Sequence, residues 1–351
     1  MTVLMRRSWL LIGGAGCLAV LGLLGRGFFG RPEPDRPARI SVAAVGDLMP
    51  ATDFPAGRLP PDDGRGLFDD AAGYLAAADL AFGNLEGPVC EGGACLKPLN
   101  RAGWHAFRIP PRYAPRLAAA GFDVFSLANN HVRDFGPAGY EATRAALEKA
   151  GIGYADAEGQ LAAFRVRGRR VAVAAYYYGG GERSILRPEV PWSEIRRLDR
   201  DYDIVIVSAH GGAEGPAALR LPFRPEYYLG EARGDLAAFG RGAVEAGADL
   251  VLMHGPHVPR ALEVYRGRLI AYSLGNFCTT GDFGLDGAAG LAPLLWVELD
   301  GRGRYLGHTV YSFRQAPGRG PKLDETDAAA ELVDRLSRLD FPGRPVSQTG
   351  D

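Results

Sequence analysis

The chain is poor in cysteine, histidine, methionine and tryptophan, with four, six, four and four of them in 351 residues. An excess of charge is also missing: 40 basic and 41 acidic side chains give a formal net charge of -1, and no basic run dominates any segment. A nucleic-acid binder would carry a basic patch or stripe, so that class is set aside. No internal repeat or low-complexity block occurs. Two of the few cysteines, Cys90 and Cys95, enclose the short loop "EGGA". Their spacing suits a zinc knuckle poorly. In an oxidising compartment it predicts a local disulfide, the alternative being two free thiols.

What is present is a globular composition, 47% hydrophobic and 23% charged, long enough for one large domain or two small ones. The start stands apart. Met5-Arg6-Arg7 leads into a stretch from Ser8 to Leu24 without a charge. A basic start and an apolar run predict a signal peptide or a transmembrane anchor over residues 1–30. Residues 31–38, rich in proline, read as an extended linker. Either form of the leader places the rest of the chain outside the cytoplasm, exported or membrane-anchored.

Short apolar runs at 40–45, 80–82, 124–127, 171–177, 204–207 and 250–253 predict buried strands. Helical patterns at about 67–78, 111–120, 137–150 and 230–246 fall between them. That alternation predicts an α/β layered fold. Runs at 261–265, 268–273, 294–299 and 305–313 make the later part β-rich, and a helix is expected over 326–339. The domain is expected over 39–318, with a C-terminal helix and tail in 319–351.

Five of the strands deliver a polar side chain at their carboxyl ends. Asp47 follows the first, Glu86 the second, Asn129, Asn130 and His131 the third, His210 the fourth, and His254 with His257 the fifth. In an α/β sheet these ends share one rim, where ligands bind. Taken singly, each residue has a structural explanation in a cap, a turn or a packed imidazole. Taken together, nothing structural requires all five at one rim. Carboxylate, amide oxygen and neutral imidazole are ligands of divalent Mn, Fe or Zn, as one ion or a pair. Two such ions about 3.5–4 Å apart can hold a hydroxide and steady a phosphoryl oxygen, and a histidine beside them can protonate a leaving group.

The segments "VGDLM", "NLEGP", "NNHVRDFG", "SAHGGAEG", "HGPHV" and "AYSLGNF" occur in that order between residues 45 and 277. Together they resemble the CapA family, the poly-γ-glutamate capsule synthesis proteins, of the calcineurin-like metallophosphatase superfamily. The resemblance implies a four-layer α/β/β/α sandwich with metals at one edge. It implies metal ligation by Asp47, Glu86, Asn130, His210, His254 and His257, and a general-acid role for His131. Three positions depart from the superfamily pattern. Met49 stands where an imidazole is usual, the closing pair is His-x-x-His, and Met253 replaces the glycine before it.

Around this set, Asp134 is expected either to fix the His131 tautomer or to cap a helix. Glu214 is expected at the rim or in a solvated loop, Asn276 in the pocket or in a turn, and Arg260 against an anionic substrate. The functional expectation is an envelope protein of surface-polymer synthesis or export that hydrolyses phosphoester or amide bonds with a divalent metal. The alternatives are a scaffold or polymer-binding subunit of a membrane synthase or export complex, and a general envelope phosphatase or nucleotidase.

Overall fold

Ten residues, Ile40–Met49, form β1, and nine of them are buried, so both faces of this strand are covered. A strand buried on both faces belongs to the middle of a layered α/β fold, and the rest of the chain is arranged around it. The structure, a computed structural model, describes residues 39–55, 58–99, 104–179, 181–280 and 284–343. The expected leader and linker lie outside the described residues. Among the described residues no helix is long and apolar enough to cross a membrane.

From β1 the chain runs through β2 (Leu80–Leu85), β3 (Val124–Ser126) and β4 (Gly153–Ala155), all parallel neighbours in one sheet. It then crosses to a second sheet through β5 (Ala162–Val166), β6 (Arg169–Tyr177) and β7 (Ile204–His210). A small hairpin, β8 (Glu226–Tyr228) with β9 (Glu231–Gly234), precedes β10 (Leu250–His254), β11 (Leu262–Tyr265) and β12 (Arg268–Ala271). The chain returns to the first sheet as β13 (Asn276–Thr279), β14 (Leu294–Leu299) and β15 (Tyr305–Tyr311). A hairpin of β16 (Phe313–Ala316) and β17 (Gly320–Leu323) follows. The first sheet has the order β15-β14-β1-β2-β3-β4, with β13 beside the carboxyl end of β1, and the second has β11-β12-β10-β7-β6-β5.

Alternation along the strands sorts the side chains into three apolar layers. Val42, Ala44 and Phe82 meet Val173, Ile206 and Leu252 between the two sheets. The outer face of the first sheet packs on α1 (Asp69–Ala77), α2 (Ala114–Ala119) and α3 (Gly136–Ala150). The outer face of the second packs on α4 (Glu189–Asp201) and α5 (Leu236–Glu245). The result is the expected α/β/β/α layering. The last helix, α6 (Ala328–Asp340), touches β11 and β15, the edge strands of the two sheets. Ala330 and Val333 join the middle layer while Leu332 and Leu336 join an outer one, so α6 closes that side of the sandwich.

Several elements differ from expectation: the short strands β4, β5, β8, β13 and β17 were not expected. The pattern at 230–246 is β9 followed by α5, because Gly234 adopts φ 88 and the Asp235 side chain caps α5 by accepting from Ala238 N at 2.9 Å. The helix α4 was not expected. Its sequence EVPWSEIRRLDRD is polar over most of its surface and buries a narrow stripe of Pro191, Ile195 and Leu198.

Ile206, 1% exposed, sits in the middle layer. Ile206→Ala is expected to cost about 2–5 kcal/mol in urea unfolding, through lost burial and a cavity that neighbouring strands cannot close. Leu306→Ala, at a residue 43% exposed, should stay within about 0.5 kcal/mol of the parent.

Candidate metal centre

The backbone delivers the site residues by close approaches that few side chains would allow. A Cβ on Gly46 would lie 1.9 Å from the Gly275 carbonyl oxygen. Only glycine lets β1 come this near the 275 turn, where Asp47 N donates to Gly275 O at 2.9 Å. The β1 register shifts at Asp47, which aligns with Asn84 of β2. Glu86 follows β2, its N–H donating to Leu48 O. On the second sheet, His210 and His254 are register partners at the ends of parallel strands β7 and β10. Both continue the inter-sheet face that carries Ile206 and Leu252. After His254 the chain reverses through Gly255 (φ 110) and His257, which itself adopts φ 58.

The five strand ends meet. Asp47 Oδ1 accepts from Asn84 Nδ2 at 2.8 Å and lies 3.5 Å from His254 Nδ1. Asp47 Oδ2 and Asn276 Oδ1 each lie 3.0 Å from His257 Nδ1. On the other side of that ring, His257 Nε2 is 3.8 Å from Glu86 Oε1, which is 3.6 Å from His210 Nε2. Asn84 Nδ2 also reaches His210 Nδ1 at 3.4 Å. Asp47, Glu86 and His257 offer donor atoms all within 4.8 Å of one another. A cleft of about 480 Å³ opens over them, lined in part by Met49, Asn130, His131, Glu214, His257 and Asn276.

Whether these residues fit a metal can be read from their unsatisfied atoms. Both oxygens of Glu86, Asn130 Oδ1, His210 Nε2 and both ring nitrogens of His254 are buried without a hydrogen-bond partner. Native proteins leave few buried polar atoms unpaired, and here they gather at one place with the chemistry of a divalent-metal donor set. The residues fit such an ion.

Charge is distorted to match. Burial, reinforced by the Asp47 charge, raises the Glu86 carboxyl well above its ordinary range. Burial pushes the His210 imidazole well below its own, against the pull of Asp47. For His257 burial opposes protonation, but the Glu86 and Asp47 carboxylates outweigh it and raise the ring to about 10. Burial would raise Asp47 too, yet His254 and His257 hold it well below the usual carboxylate range.

His131 lies on the cleft wall with its Nδ1 2.9 Å from Asp134 Oδ2. Asp134 also accepts from Phe107 N at 2.9 Å, so it positions the ring rather than capping a helix. Burial and the nearby Lys97 charge bring His131 down to about 4, against Asp134. Asn129 serves the backbone: its Oδ1 accepts from the N–H groups of His131 and Val132 at 3.1 and 3.0 Å. Asn130 turns to the cleft instead.

Two expectations are corrected. Arg260 does not face the cleft. It is fully buried, and its fork grips Glu226 at 2.7 and 3.0 Å while Nε donates to Ala218 O at 2.6 Å. Cys90 and Cys95 form no disulfide. Cys90 is buried as a free thiol, and the Cys95 thiol points to Lys97 O at 3.7 Å.

Three residues escaped the sequence reading. Asn84 joins Asp47 to His210, and only its place two residues before Glu86 hinted at it. Lys97 Nζ reaches His131 Nδ1 at 2.8 Å and Asp134 Oδ1 at 2.9 Å. Arg233 Nη1 reaches Glu214 Oε1 at 2.7 Å. The last two arrive through tertiary folding, without a local signal.

A pH dependence follows. A histidine whose folded pKa is raised adds stability below its unfolded value near 6.5, and that stability disappears as pH passes the folded value. Glu86 acts in the same direction. Chelator-treated protein should therefore lose melting temperature between about pH 6.5 and about 10. Saturating Mn²⁺ should restore it, and His257→Gln should flatten the loss.

The chain is 33% identical over 252 residues to a probable polyglutamine synthesis accessory protein of Mycobacterium tuberculosis, covering 63% of this chain and 61% of that one. It is 30% identical over 256 residues to the PGA biosynthesis protein CapA of Bacillus subtilis, covering 68% and 63%. The capsule biosynthesis protein CapA of Bacillus anthracis is 27% identical over 232 residues, covering 60% and 53%. The chain thus matches 53% to 63% of the length of these relatives. Among solved structures, the 5'-nucleotidase precursor of Thermus thermophilus is similar with a TM-score of 0.42 at 12% identity, covering 86% of this chain and 59% of that one. The NAD nucleotidase of Haemophilus influenzae has a TM-score of 0.39 at 11% identity, covering 85% and 62%. The sequence profile of the bacterial capsule synthesis protein PGA_cap matches residues 41–280, a span that holds every donor of the centre, and the chain belongs to that family.

Proposed function

We propose that this protein serves the synthesis or export of a surface polymer of the poly-γ-glutamate kind at the cell envelope. It would work there as a metal-dependent hydrolase of the metallophosphatase type, acting on phosphoester or amide bonds. The leader in residues 1–30 would export it or anchor it in the membrane. The family and the names of the relatives support the polymer. The observation that carries the chemistry is the cluster of buried, partnerless donors on Glu86, Asn130, His210 and His254.

Asp47, Glu86, Asn130, His210, His254 and His257 are the residues that would hold one or two divalent ions, Mn, Fe or Zn. Such an ion polarises a phosphoryl or carbonyl oxygen and makes water a stronger nucleophile at neutral pH. The chain's own residues do the rest. Asp134 keeps the His131 ring oriented, and His131, neutral at rest, would pass to the leaving group at the cleft the proton given up by the attacking water. Asn84 holds the Asp47 carboxylate and the His210 ring in one register. The apolar layer beneath them keeps bulk water away from the donors, which strengthens every charge interaction there.

A second reading is favoured by one observation. Met49, a thioether, lines the cleft near Asp47 where an imidazole would add a ligand. On that reading the protein is a scaffold contacting a membrane synthase, an export complex or the polymer itself.

Purified protein screened against phosphomonoesters, phosphodiesters and γ-glutamyl peptides with Mn²⁺, Fe²⁺ or Zn²⁺ should hydrolyse one class. Asp47→Ala and His210→Ala should abolish both metal content and turnover. His131→Gln should keep its metal and lose about 10²–10⁴-fold in kcat. A metal-dead variant that still supports polymer export would establish the scaffold, and activity on phosphoesters unrelated to the polymer would point to a general envelope phosphatase or nucleotidase.

A further inference from the structure

His257 divides the centre. Its Nδ1 lies 3.0 Å from both Asp47 Oδ2 and Asn276 Oδ1, two acceptors that suit an N–H at that atom. A histidine that donates one ring N–H to a carboxylate offers the other nitrogen as a ligand. That other nitrogen, Nε2, faces Glu86 Oε1 at 3.8 Å and Glu214 Oε2 at 3.8 Å. Glu86 Oε1 leads on to His210 Nε2 at 3.6 Å. Two donors each about 2.0–2.2 Å from a shared ion lie no more than about 4.4 Å apart. The Glu214–His257 pair satisfies that limit, as do His257–Glu86 and Glu86–His210 taken pair by pair, while the set of three donors all within 4.8 Å of one another among the described residues is Asp47, Glu86 and His257.

Glu214 is held for the purpose. Its Oε1 accepts from Arg233 Nη1 at 2.7 Å, which leaves Oε2 for the His257 side. Arg233 is 4% exposed, packed over the Tyr178 ring at 4.2 Å, and its Nη2 donates to Glu231 Oε2 at 3.1 Å. A guanidinium fixed on three sides sets the carboxylate's orientation and leaves it little rotamer freedom. The Glu86 and His210 atoms in the run are buried and partnerless.

We infer that Glu214 is a metal ligand that shares an ion with His257 Nε2. Asp47 and Asn276 then orient His257 for this site through its other nitrogen. This inference rests on the metal-centre reading above, and it assigns Glu214 to the ion rather than to the substrate.

The test is metal affinity, read without turnover. Wild-type protein, Glu214→Gln, Glu214→Asp and Glu231→Gln are stripped with chelator and titrated with Mn²⁺ by calorimetry, with bound metal counted by mass spectrometry. Glu214→Gln is expected to bind more than about 100-fold more weakly, beyond the loss usual for a residue that only supports a ligand. Glu214→Asp should recover part of that loss. Glu231→Gln, which removes the other carboxylate from Arg233, should lose much less affinity than Glu214→Gln. Visible spectra of the Co²⁺-loaded forms should differ between wild type and Glu214→Asp, a readout that survives if the glutamine variant folds poorly. Equal Mn²⁺ affinity in wild type and Glu214→Gln would overturn the inference and leave Glu214 as a counter-ion for Arg233. Wild type that takes up no Mn²⁺, Fe²⁺ or Zn²⁺ would instead bring down the metal-centre reading itself.

Discussion

Two carboxylates, Asp47 and Glu86, sit at zero exposure where the two sheets meet. Moving such charges out of water costs several kcal/mol each unless they are paired or bound to a cation. Asp47 is compensated by Asn84, His254 and His257. The Glu86 carboxylate has imidazoles nearby and no hydrogen bond of its own. Everything around the centre reflects this constraint. The glycine at 46, the register shift at Asp47, the left-handed backbone at His257 and the side-by-side pair His210 and His254 each bring an opposite or ligating group to an acid that could not otherwise be buried. A strain of this size is retained where function requires it.

The fold was largely readable because strands buried on both faces write themselves as continuous apolar runs. The runs at 204–207 and 250–253 fall on β7 and β10, and the polar residue after each run falls at the rim. The readings that failed are instructive for the same reason. In α4 the apolar stripe is too narrow to stand out from eight charged or polar neighbours, so tertiary packing and not pattern makes that helix. In 230–246 a glycine and a capping aspartate split what looks like one helix, a local event that periodicity does not register.

The site divides in the same way. Residues that end strands were visible because the rim of an α/β sheet gathers them whatever the loops do. Residues that reach the centre from loops were not. Lys97 contacts His131 across 34 positions of sequence and Arg233 contacts Glu214 across 19, and neither spacing belongs to a helix or a strand. Asn84 was hidden differently. It lies inside the "NLEGP" segment, but an amide beside a glutamate has no distinctive chemistry until the register of β1 and β2 places it opposite Asp47.

Arg260 shows why a charged residue near a rim need not serve the ligand. Three positions after His257, it looks like an anion contact. The fold buries it completely and gives it a bidentate partner in Glu226, at the start of the β8–β9 hairpin. A buried pair of this kind adds little net stability over apolar packing, because desolvation consumes most of the attraction. What it adds is registration. Arg260 Nη2 reaches Ala213 O at 3.3 Å, and Glu226 Oε2 accepts from Ala213 N at 3.0 Å. The residue so clamped on both backbone polar groups is the immediate neighbour of Glu214. Arg233, on the second strand of the same hairpin, holds the Glu214 side chain. One hairpin therefore fixes both the backbone and the carboxylate of Glu214, and it is tied to the turn that carries His254 and His257. The arginine taken for a substrate contact acts one layer further out, in the frame that keeps the cleft's acids at a constant distance from its imidazoles.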